Sequence, residues 1–162
     1  MKLGRLRKKG GETKFVVVWG DETATGKEIT VTQKDVREIQ LAKAAIHTGC
    51  SILMKRKKLR EEDLDRLFIA GTFGTYINLE NAKYIGLVPD VPTNKVRFVG
   101  NTAVMGAKMA LTSKGMREKS ELISKKVRYL ELGNDPDFNQ EFTKALFLRP
   151  QKIKVDTYKR NF

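Results

Sequence analysis

The chain of 162 residues contains one cysteine and one histidine, which limits the chemistry it can carry by itself. A single cysteine, Cys50, excludes an internal disulfide bond and a cysteine metal cluster, and the lone His47 argues against a zinc or iron site made by this chain alone. No apolar run approaches the ~18 residues that cross a bilayer, and the N-terminus lacks the apolar segment of a secretory signal. These absences predict a cytoplasmic protein with no metal site and no membrane contact of its own.

Acidic residues are also scarce, since 19 Asp and Glu stand against 32 Lys and Arg and leave a net charge of +13. Such an excess is compatible with binding to nucleic acid or another polyanion. The basic residues concentrate in segments 2–9, 55–60 and 152–160, however, and these segments lack the repeated interleaving with aromatic residues that single-strand binders need for base stacking, since Tyr158 is their one aromatic residue. The pattern therefore favours a lysine-rich solvated surface over a nucleic-acid interface.

The hydrophobic patterning predicts a mixed α/β domain over residues 14–150, with basic tails at 1–13 and 151–162. Near the N-terminal side of the domain, the β-branched and aromatic run at 15–19 and the shorter run at 29–31 are typical of strands. A polar turn region separates the two runs, so together they predict a hairpin.

The strongest helix signal begins at Thr32, because the sequence Thr32-Gln33-Lys34-Asp35 fits a capping box. The helix predicted over 33–55 has one face of apolar or small residues that we expect in the core: Ile39, Ala42, Ile46, Gly49, Cys50 and Leu53. Its other face is polar but mostly uncharged: Arg37, Gln40, Ala44, His47 and Ser51, with Lys43 on its shoulder. Another domain or a ligand is expected to approach that face, and an ordinary solvated face is the alternative.

The central stretch of the sequence is a short apolar run, Leu67 to Ala70, followed by the turn Gly71-Thr72-Phe73-Gly74. The run predicts a buried strand, and the two glycines let the backbone adopt φ > 0 or approach another group closely. Asn78 can cap a short helix over 79–85. Strand, glycine turn and helix in this order are typical of a ligand-binding edge, although a tight connection without a ligand fits the same spacing.

A second strand, predicted over 95–99, ends in Gly100-Asn101, and Asn101 can cap a helix over 102–112. That helix carries a single charge, so we expect it to be buried nearly all round. Its N-terminus is a natural position for an anion or a ribose.

The remaining pattern predicts an exposed helix over 116–126, a strand over 127–132 and a helix that starts at Asp135-Pro136-Asp137.

Four segments, in order and in register, resemble the C-terminal part of the reductive activators of corrinoid enzymes. They are ITVTQKDVREIQLAKAAI (Ile29–Ile46), LFIAGTFGTYINLENAKYIGLVPDV (Leu67–Val91), VRFVGNTAVMGAKMAL (Val96–Leu111) and DPDFNQEFTKALFL (Asp135–Leu148). Those activators are ATP-dependent iron–sulfur proteins of anaerobes that return an inactive cob(II)amide centre to cob(I)amide. They belong to the superfamily of actin, sugar kinases and heat-shock chaperone ATPases. The resemblance implies a ribonuclease-H-like lobe with a central mixed sheet and flanking helices.

The same resemblance implies a nucleotide site. LFIAGTFG is similar to the adenosine motif of the superfamily, and GNTAVMGAKMAL is similar to the connecting helix beside it. The implied nucleotide-binding residues are Gly71, Thr72, Phe73, Gly74, Gly100 and Asn101, with Arg37, Gln40 and Lys43 toward the adenine side. The implied ligand is ATP or ADP, with Mg²⁺ in the assembled protein.

The sequence departs from the full-length members of that family. It shows neither the upstream iron–sulfur domain nor the N-terminal ATPase lobe with its phosphate loops. The segment most similar to an acidic-residue-plus-glycine phosphate motif is GDETATG with Asp21, which we predict to be a hairpin tip. We therefore predict the adenosine-side lobe of an ATP-dependent activator, without catalytic residues, without an iron–sulfur cluster and not expected to hydrolyse ATP alone. Its expected partners are the missing lobe and iron–sulfur domain and a corrinoid protein, and a homodimer is left open. The alternatives are a scaffold or dimerisation module derived from the lobe and, less favoured by the charge pattern, a nucleic-acid-binding protein.

Overall fold

The chain forms the mixed α/β domain that the sequence predicts, with three strands before the first long helix and strands interspersed with helices after residue 66. The computed structural model describes residues 4–9 and 11–148, with the side chains of all but Lys9 and Phe73. The strands in this part are β1 (Leu6–Lys9), β2 (Glu12–Val18), β3 (Ile29–Thr32), β4 (Leu67–Ala70) and β5 (Val96–Gly100). The helices are α1 (Gln33–Lys57), α2 (Thr72–Tyr76), α3 (Leu79–Tyr84), α4 (Thr102–Thr112), α5 (Lys114–Ser124) and α6 (Phe138–Leu146). The predicted tail at 151–162 lies outside the described residues.

The first sheet is antiparallel and has the order β1-β2-β3. The predicted hairpin is confirmed, because β2 and β3 pair with each other. The Thr23 hydroxyl stabilises the turn between them through hydrogen bonds to the carbonyls of Gly20 and Lys27. β1 pairs with β2 over Leu6 to Lys9. The segment expected as a basic N-terminal tail thus contributes a strand to this sheet.

The second sheet consists of β4 and β5, which are parallel, with Leu67 opposite Val96 and Ile69 opposite Phe98. The resemblance implies one central mixed sheet, whereas the five described strands divide between two sheets. The expectation that β4 is a buried strand is wrong in part, because Phe68 is 57 % exposed. Parallel sheets are normally covered on both faces. In the described part of the chain, nothing covers the face that carries Phe68.

The start of α1 is fixed by the predicted capping box. The backbone amide of Asp35 donates to the Thr32 hydroxyl at 3.2 Å, and the backbone amide of Thr32 donates to the Asp35 carboxylate at 2.8 Å. These two bonds satisfy amides that a helix N-terminus otherwise leaves without partners. The amide and the hydroxyl of Thr32 both donate to the Asp35 carboxylate and favour its ionised form, so its pKa lies below the usual value, chiefly through the bond from the amide.

The buried side of α1 is not the one the apolar pattern predicts. Ile39, Ile46 and Leu53 are exposed, whereas α1 buries Lys43, Ala44, Thr48 and Ile52. The reason is α6, which makes the most extensive helix–helix contact in the described structure and packs on the polar side of α1. The polar face, for which another domain or a ligand was expected, is covered by α6 of the same domain, and the expected core face is wrong.

Two predictions in the second half of the chain also fail. α4 begins at its predicted cap, with the Val104 amide donating to Asn101 Oδ1 at 3.1 Å, but it has no buried residue. The strand predicted over 127–132 is absent, and Leu132–Asn134 forms a 3-10 turn instead. Both predictions assumed neighbours that the described residues do not supply.

Candidate functional site

The predicted adenosine motif lies at the carboxyl ends of β4 and β5. Because the two strands are parallel, both end at the same edge of their sheet. The backbone amide of Gly71 donates to the carbonyl of Gly100 at 2.7 Å, which ties the two strand ends together. Gly71 has φ +90° and Gly100 has φ +63°, conformations that favour glycine. Two predicted site residues from distant parts of the sequence are thereby in direct contact.

Open space lies beside both glycines. A Cβ atom built on Gly71 or on Gly100 would meet no heavy atom within 4 Å, other than its chain neighbours. Gly74 differs, because it is buried and its Cβ would lie 2.5 Å from Cγ2 of Ile69. Gly71 and Gly100 thus leave room over the strand ends, whereas Gly74 allows α2 to pack closely on β4.

The remaining residues predicted at this edge belong to the two helices that follow the strands. Thr72 opens α2 and is exposed, and the backbone of Phe73 lies in the same turn of helix. Asn101 precedes α4 and uses Oδ1 to cap it. The structure therefore gathers six of the nine predicted site residues at one edge: Gly71, Thr72, Phe73, Gly74, Gly100 and Asn101.

The other three predicted residues lie on α1. Gln40 Nε2 donates to the carbonyl of Leu146 at 3.1 Å, and Lys43 Nζ donates to the carbonyl of Phe147 at 2.6 Å. Cations and donors at a helix C-terminus satisfy its last carbonyls and its dipole, so these side chains cap α6. Arg37 is exposed one helical turn earlier, beside a depression that Glu12 and Thr13 also line.

An ion-pair network joins α1 to α6 and was not foreseen from the sequence. Asp135, whose side chain is 3 % exposed, accepts hydrogen bonds from Nε and Nη2 of Arg56 at 2.9 and 2.7 Å. Glu141 accepts from Ser51 and from Lys55, both at 2.8 Å. The only signal in the sequence was the unusual polar face of α1, which gives no indication of which element covers it.

These contacts change the ionisation of the network. The bonds from Lys55 and Ser51 lower the pKa of Glu141 from 4.5 to about 2. The guanidinium of Arg56 holds the pKa of Asp135 below its usual value. Burial raises the pKa of the Cys50 thiol, which favours an unreactive neutral thiol over a nucleophile.

A small cavity of about 190 Å³ lies between α1 and the end of α6. Its lining residues are Lys43, His47, Gly86, Glu141, Lys144, Ala145 and Phe147. Lys43 is only 2 % exposed, and its ammonium is held by the carbonyl of Phe147, so the cavity belongs to the contact between the helices. Over residues 4–9 and 11–148, no group of three or more His, Cys, Asp or Glu side chains is placed to hold a metal ion.

No helix in the described part of the chain has the length and apolar character that crossing a membrane requires.

Comparison with known proteins identifies consistent relatives. The family described as the C-terminal domain of RACo, the ASKHA domain, matches residues 1–159. The corrinoid activation enzyme RamQ of Eubacterium limosum is 42 % identical over 128 residues, which are 79 % of this chain and 22 % of that protein. The [Co(II) methylated amine-specific corrinoid protein] reductase of Methanosarcina barkeri is 28 % identical over 147 residues, 90 % of this chain and 27 % of that protein.

A solved structure has the same fold. The protein titled reductive activator for corrinoid, iron-sulfur protein aligns with a TM-score of 0.80 and 38 % identity over 89 % of this chain. The alignment covers 23 % of that protein, so the chain spans about a quarter of the length of the relatives it matches. The predicted actin-like α/β fold is confirmed by this match and by the family match.

Proposed function

Because the chain belongs to the family of C-terminal RACo domains, the ASKHA domain, we propose that it forms the adenosine side of the ATP site in a reductive activator of corrinoid proteins. The observation that supports this most directly is the hydrogen bond between Gly71 and Gly100, which joins two parallel strand ends beside open space. Ligands of open α/β sheets bind outside the carboxyl ends of the strands. The relatives named as corrinoid activators or reductases support the biological setting.

The residues at the strand ends fit a nucleoside. Gly71 and Gly100 present backbone without side chains, so the flat base and the ribose can approach closely, and Thr72 and Asn101 provide polar atoms at the rim. The phosphates of bound ATP, and the Mg²⁺ that accompanies them, would be held by groups from the larger part of the activator. In this proposal the chain binds and orients the nucleoside and does not hydrolyse ATP alone.

Two of the three α1 residues take a different role from the one the resemblance implies. Gln40 and Lys43 hold the C-terminal end of α6, which fixes α6 along α1. Arg37, which is exposed near the start of α1, keeps its guanidinium accessible for the adenine side of the nucleotide. We propose Arg37 as a nucleotide contact and Gln40 and Lys43 as positioning residues.

In the complete activator, closure of two lobes on ATP would drive a conformational change that assists an energetically unfavourable electron transfer from an iron–sulfur domain to the corrinoid. This chain would supply one wall of the cleft that closes.

The test uses a chimera in which this chain replaces the matched quarter of the Eubacterium limosum relative. Calorimetric titration with ATP and ADP should show saturable binding that persists at high salt, because the pocket recognises shape rather than phosphate charge alone. Gly71→Val should weaken that binding at least tenfold, since a β-branched side chain fills the open space and disfavours φ +90°.

Gly26→Val is the matched control for that substitution. Gly26 has φ +67° and its Cβ would also meet no heavy atom within 4 Å, but it lies at the tip of the β2–β3 hairpin. It should carry a similar backbone strain and leave nucleotide affinity unchanged. Unaltered binding in the Gly71 variant, or equal losses in both variants, would refute the placement of the site. A folded chimera that binds no nucleotide would favour the scaffold alternative.

A further inference from the structure

The segment from Thr102 to Glu131, called the arm below, consists of α4, α5 and the seven residues after them. Ser113 alone separates the two helices. It ends α4, because its amide donates to the Met109 carbonyl at 3.1 Å, and it caps α5, because its hydroxyl accepts from the Met116 amide at 3.3 Å. α4 and α5 are in contact at this junction.

The arm exposes an unusual amount of apolar surface. α4 contains one charged residue and buries none of its side chains, and Leu111 is 79 % exposed. A helix that is apolar all round is normally buried. The exposed set continues onto α5 and consists of Val104, Met105, Met109, Leu111, Met116, Leu122 and Ile123. Exposed apolar side chains in this number on two adjacent helices indicate a protein contact.

The arm ends in a segment with the alternation of a strand but without a partner strand. Val127 and Tyr129 alternate with the charged Arg128 at the start of VRYLEL, and Tyr129 is 83 % exposed. Within the described ranges, the backbone amides of residues 128–130 have no backbone acceptor. A segment whose backbone amides lack backbone acceptors is completed in many complexes by a strand from the partner.

The charges of the arm indicate what covers it. Seven Lys and Arg stand against three Glu in this segment. A second copy docked about a two-fold axis would bring two such basic segments together, and like charges facing each other across an interface are unfavourable. The occupant that fits is therefore an apolar face with an acidic rim, not another arm.

The length of the relatives supplies that occupant. The same fold lies within proteins about four times as long as the matched region. We infer that the arm is the surface on which the remaining part of the activator polypeptide docks, with Val127–Leu130 adding as a strand to one of its sheets. This inference rests on the proposed function, because it takes the chain to be one part of an activator.

Methionine oxidation provides the test. Met105, Met109 and Met116 are each about half exposed and should be oxidised readily by dilute peroxide in the isolated chain. In the chimera described above, docking should slow oxidation of all three by at least about fivefold, as measured by mass spectrometry of peptides. Equal rates in the isolated chain and in a folded chimera would overturn the inference. Protection in the isolated chain that grows with its concentration would also overturn it, since that indicates a second copy.

A substitution series gives an independent readout. Leu111→Lys should leave the melting temperature of the isolated chain unchanged, because the site is exposed there, and should lower that of the chimera. Leu111→Met is the control and should be neutral in both. If the chimera does not fold, the chain and the remaining part of the relative are expressed together as two polypeptides. Co-purification should survive Leu111→Met and fail with Leu111→Lys, and survival in both variants would refute the inference.

These measurements separate the inference from the proposed function. Arm methionines that stay reactive in a chimera that binds ATP would refute the docking surface alone. Protected methionines in a chimera that binds no ATP would refute the nucleotide site alone.

Discussion

At the scale of single residues, Glu141 shows how much of the α1–α6 contact depends on charge. Its carboxylate is 12 % exposed and accepts hydrogen bonds from Ser51 and Lys55, and Lys144 lies 3.4 Å away. Hydrogen bonds to a charged group contribute more than neutral ones, but solvent reduces their value at a partly exposed site. We expect the Glu141 carboxylate to stabilise the fold by about 1–2 kcal/mol.

The resulting prediction concerns acid stability. The pKa of Glu141 is lowered from 4.5 to about 2, so its stabilising effect is fully present above pH 4.5 and is lost as the pH falls through about 2. The urea concentration at the unfolding midpoint, measured from pH 7 down to pH 2, should decrease as the pH drops below 4.5. Glu141→Gln should reduce stability at pH 7 and make the loss of stability on acidification smaller. The loss that remains comes in part from Asp135, whose pKa is also lowered. Glu118→Gln, which alters an exposed pair on α5, is the control and should leave the profile unchanged.

At the scale of elements, α1 is specified mainly by its own sequence. Its capping box lies within four consecutive residues, Thr32 to Asp35, and the helix ends with three basic residues and a left-handed Lys58, which complement the helix dipole and terminate the helix. The boundaries of such an element can be predicted because every group that fixes them is close in the chain.

The cap gives an element-scale prediction. Thr32→Ala removes the hydroxyl that accepts from the Asp35 amide and should lower the free energy of unfolding by about 1 kcal/mol. The measurement is urea unfolding followed by the helical circular dichroism signal. Thr143→Ala, at an exposed position within α6, is the matched control and should change stability by less than about 0.5 kcal/mol. A loss no greater than that of the control would mean that packing, and not the cap, determines the start of α1.

The prediction from sequence fails where an element depends on distant neighbours. The face that α1 buries is chosen by α6, about ninety residues later in sequence (Ser51 to Glu141), through ion pairs that leave no periodic pattern. Likewise, α4 was predicted to be a buried helix and residues 127–132 a strand, because their apolar composition is typical of segments packed against a neighbour. The described residues do not provide that neighbour. The turn at Gly71 was predictable because glycine is needed locally for its positive φ. The partners of Gln40 and Lys43 were not.

At the scale of the whole molecule, the exposed apolar surface and the net charge of +13 point to two different kinds of contact. The core of the described residues is small and consists of Val16, Ala44, Ile52, Ala82, Val91, Val96 and Ala145. The exposed faces of α1, the β4–β5 sheet and the arm account for much of the apolar sequence instead. That distribution is typical of one part of a larger folded body, in which partly buried polar contacts such as Arg56–Asp135 hold the part together and apolar faces meet the remainder.

The charge gives the prediction that separates a nucleotide site from general attraction to polyanions. Exposed lysines and arginines should give the isolated chain weak affinity for double-stranded DNA of any sequence, and this affinity should fall steeply with added salt as counterion release is lost. The measurement is fluorescence anisotropy with two unrelated duplexes between 50 and 300 mM salt. ATP binding by the chimera over the same range should change far less, because the proposed nucleoside contacts at Gly71 and Gly100 are not contacts between charges. Sequence-dependent DNA binding that resists salt would instead show that the basic surface has a specific nucleic-acid ligand, and the adenosine-side role would then have to be abandoned as the main function.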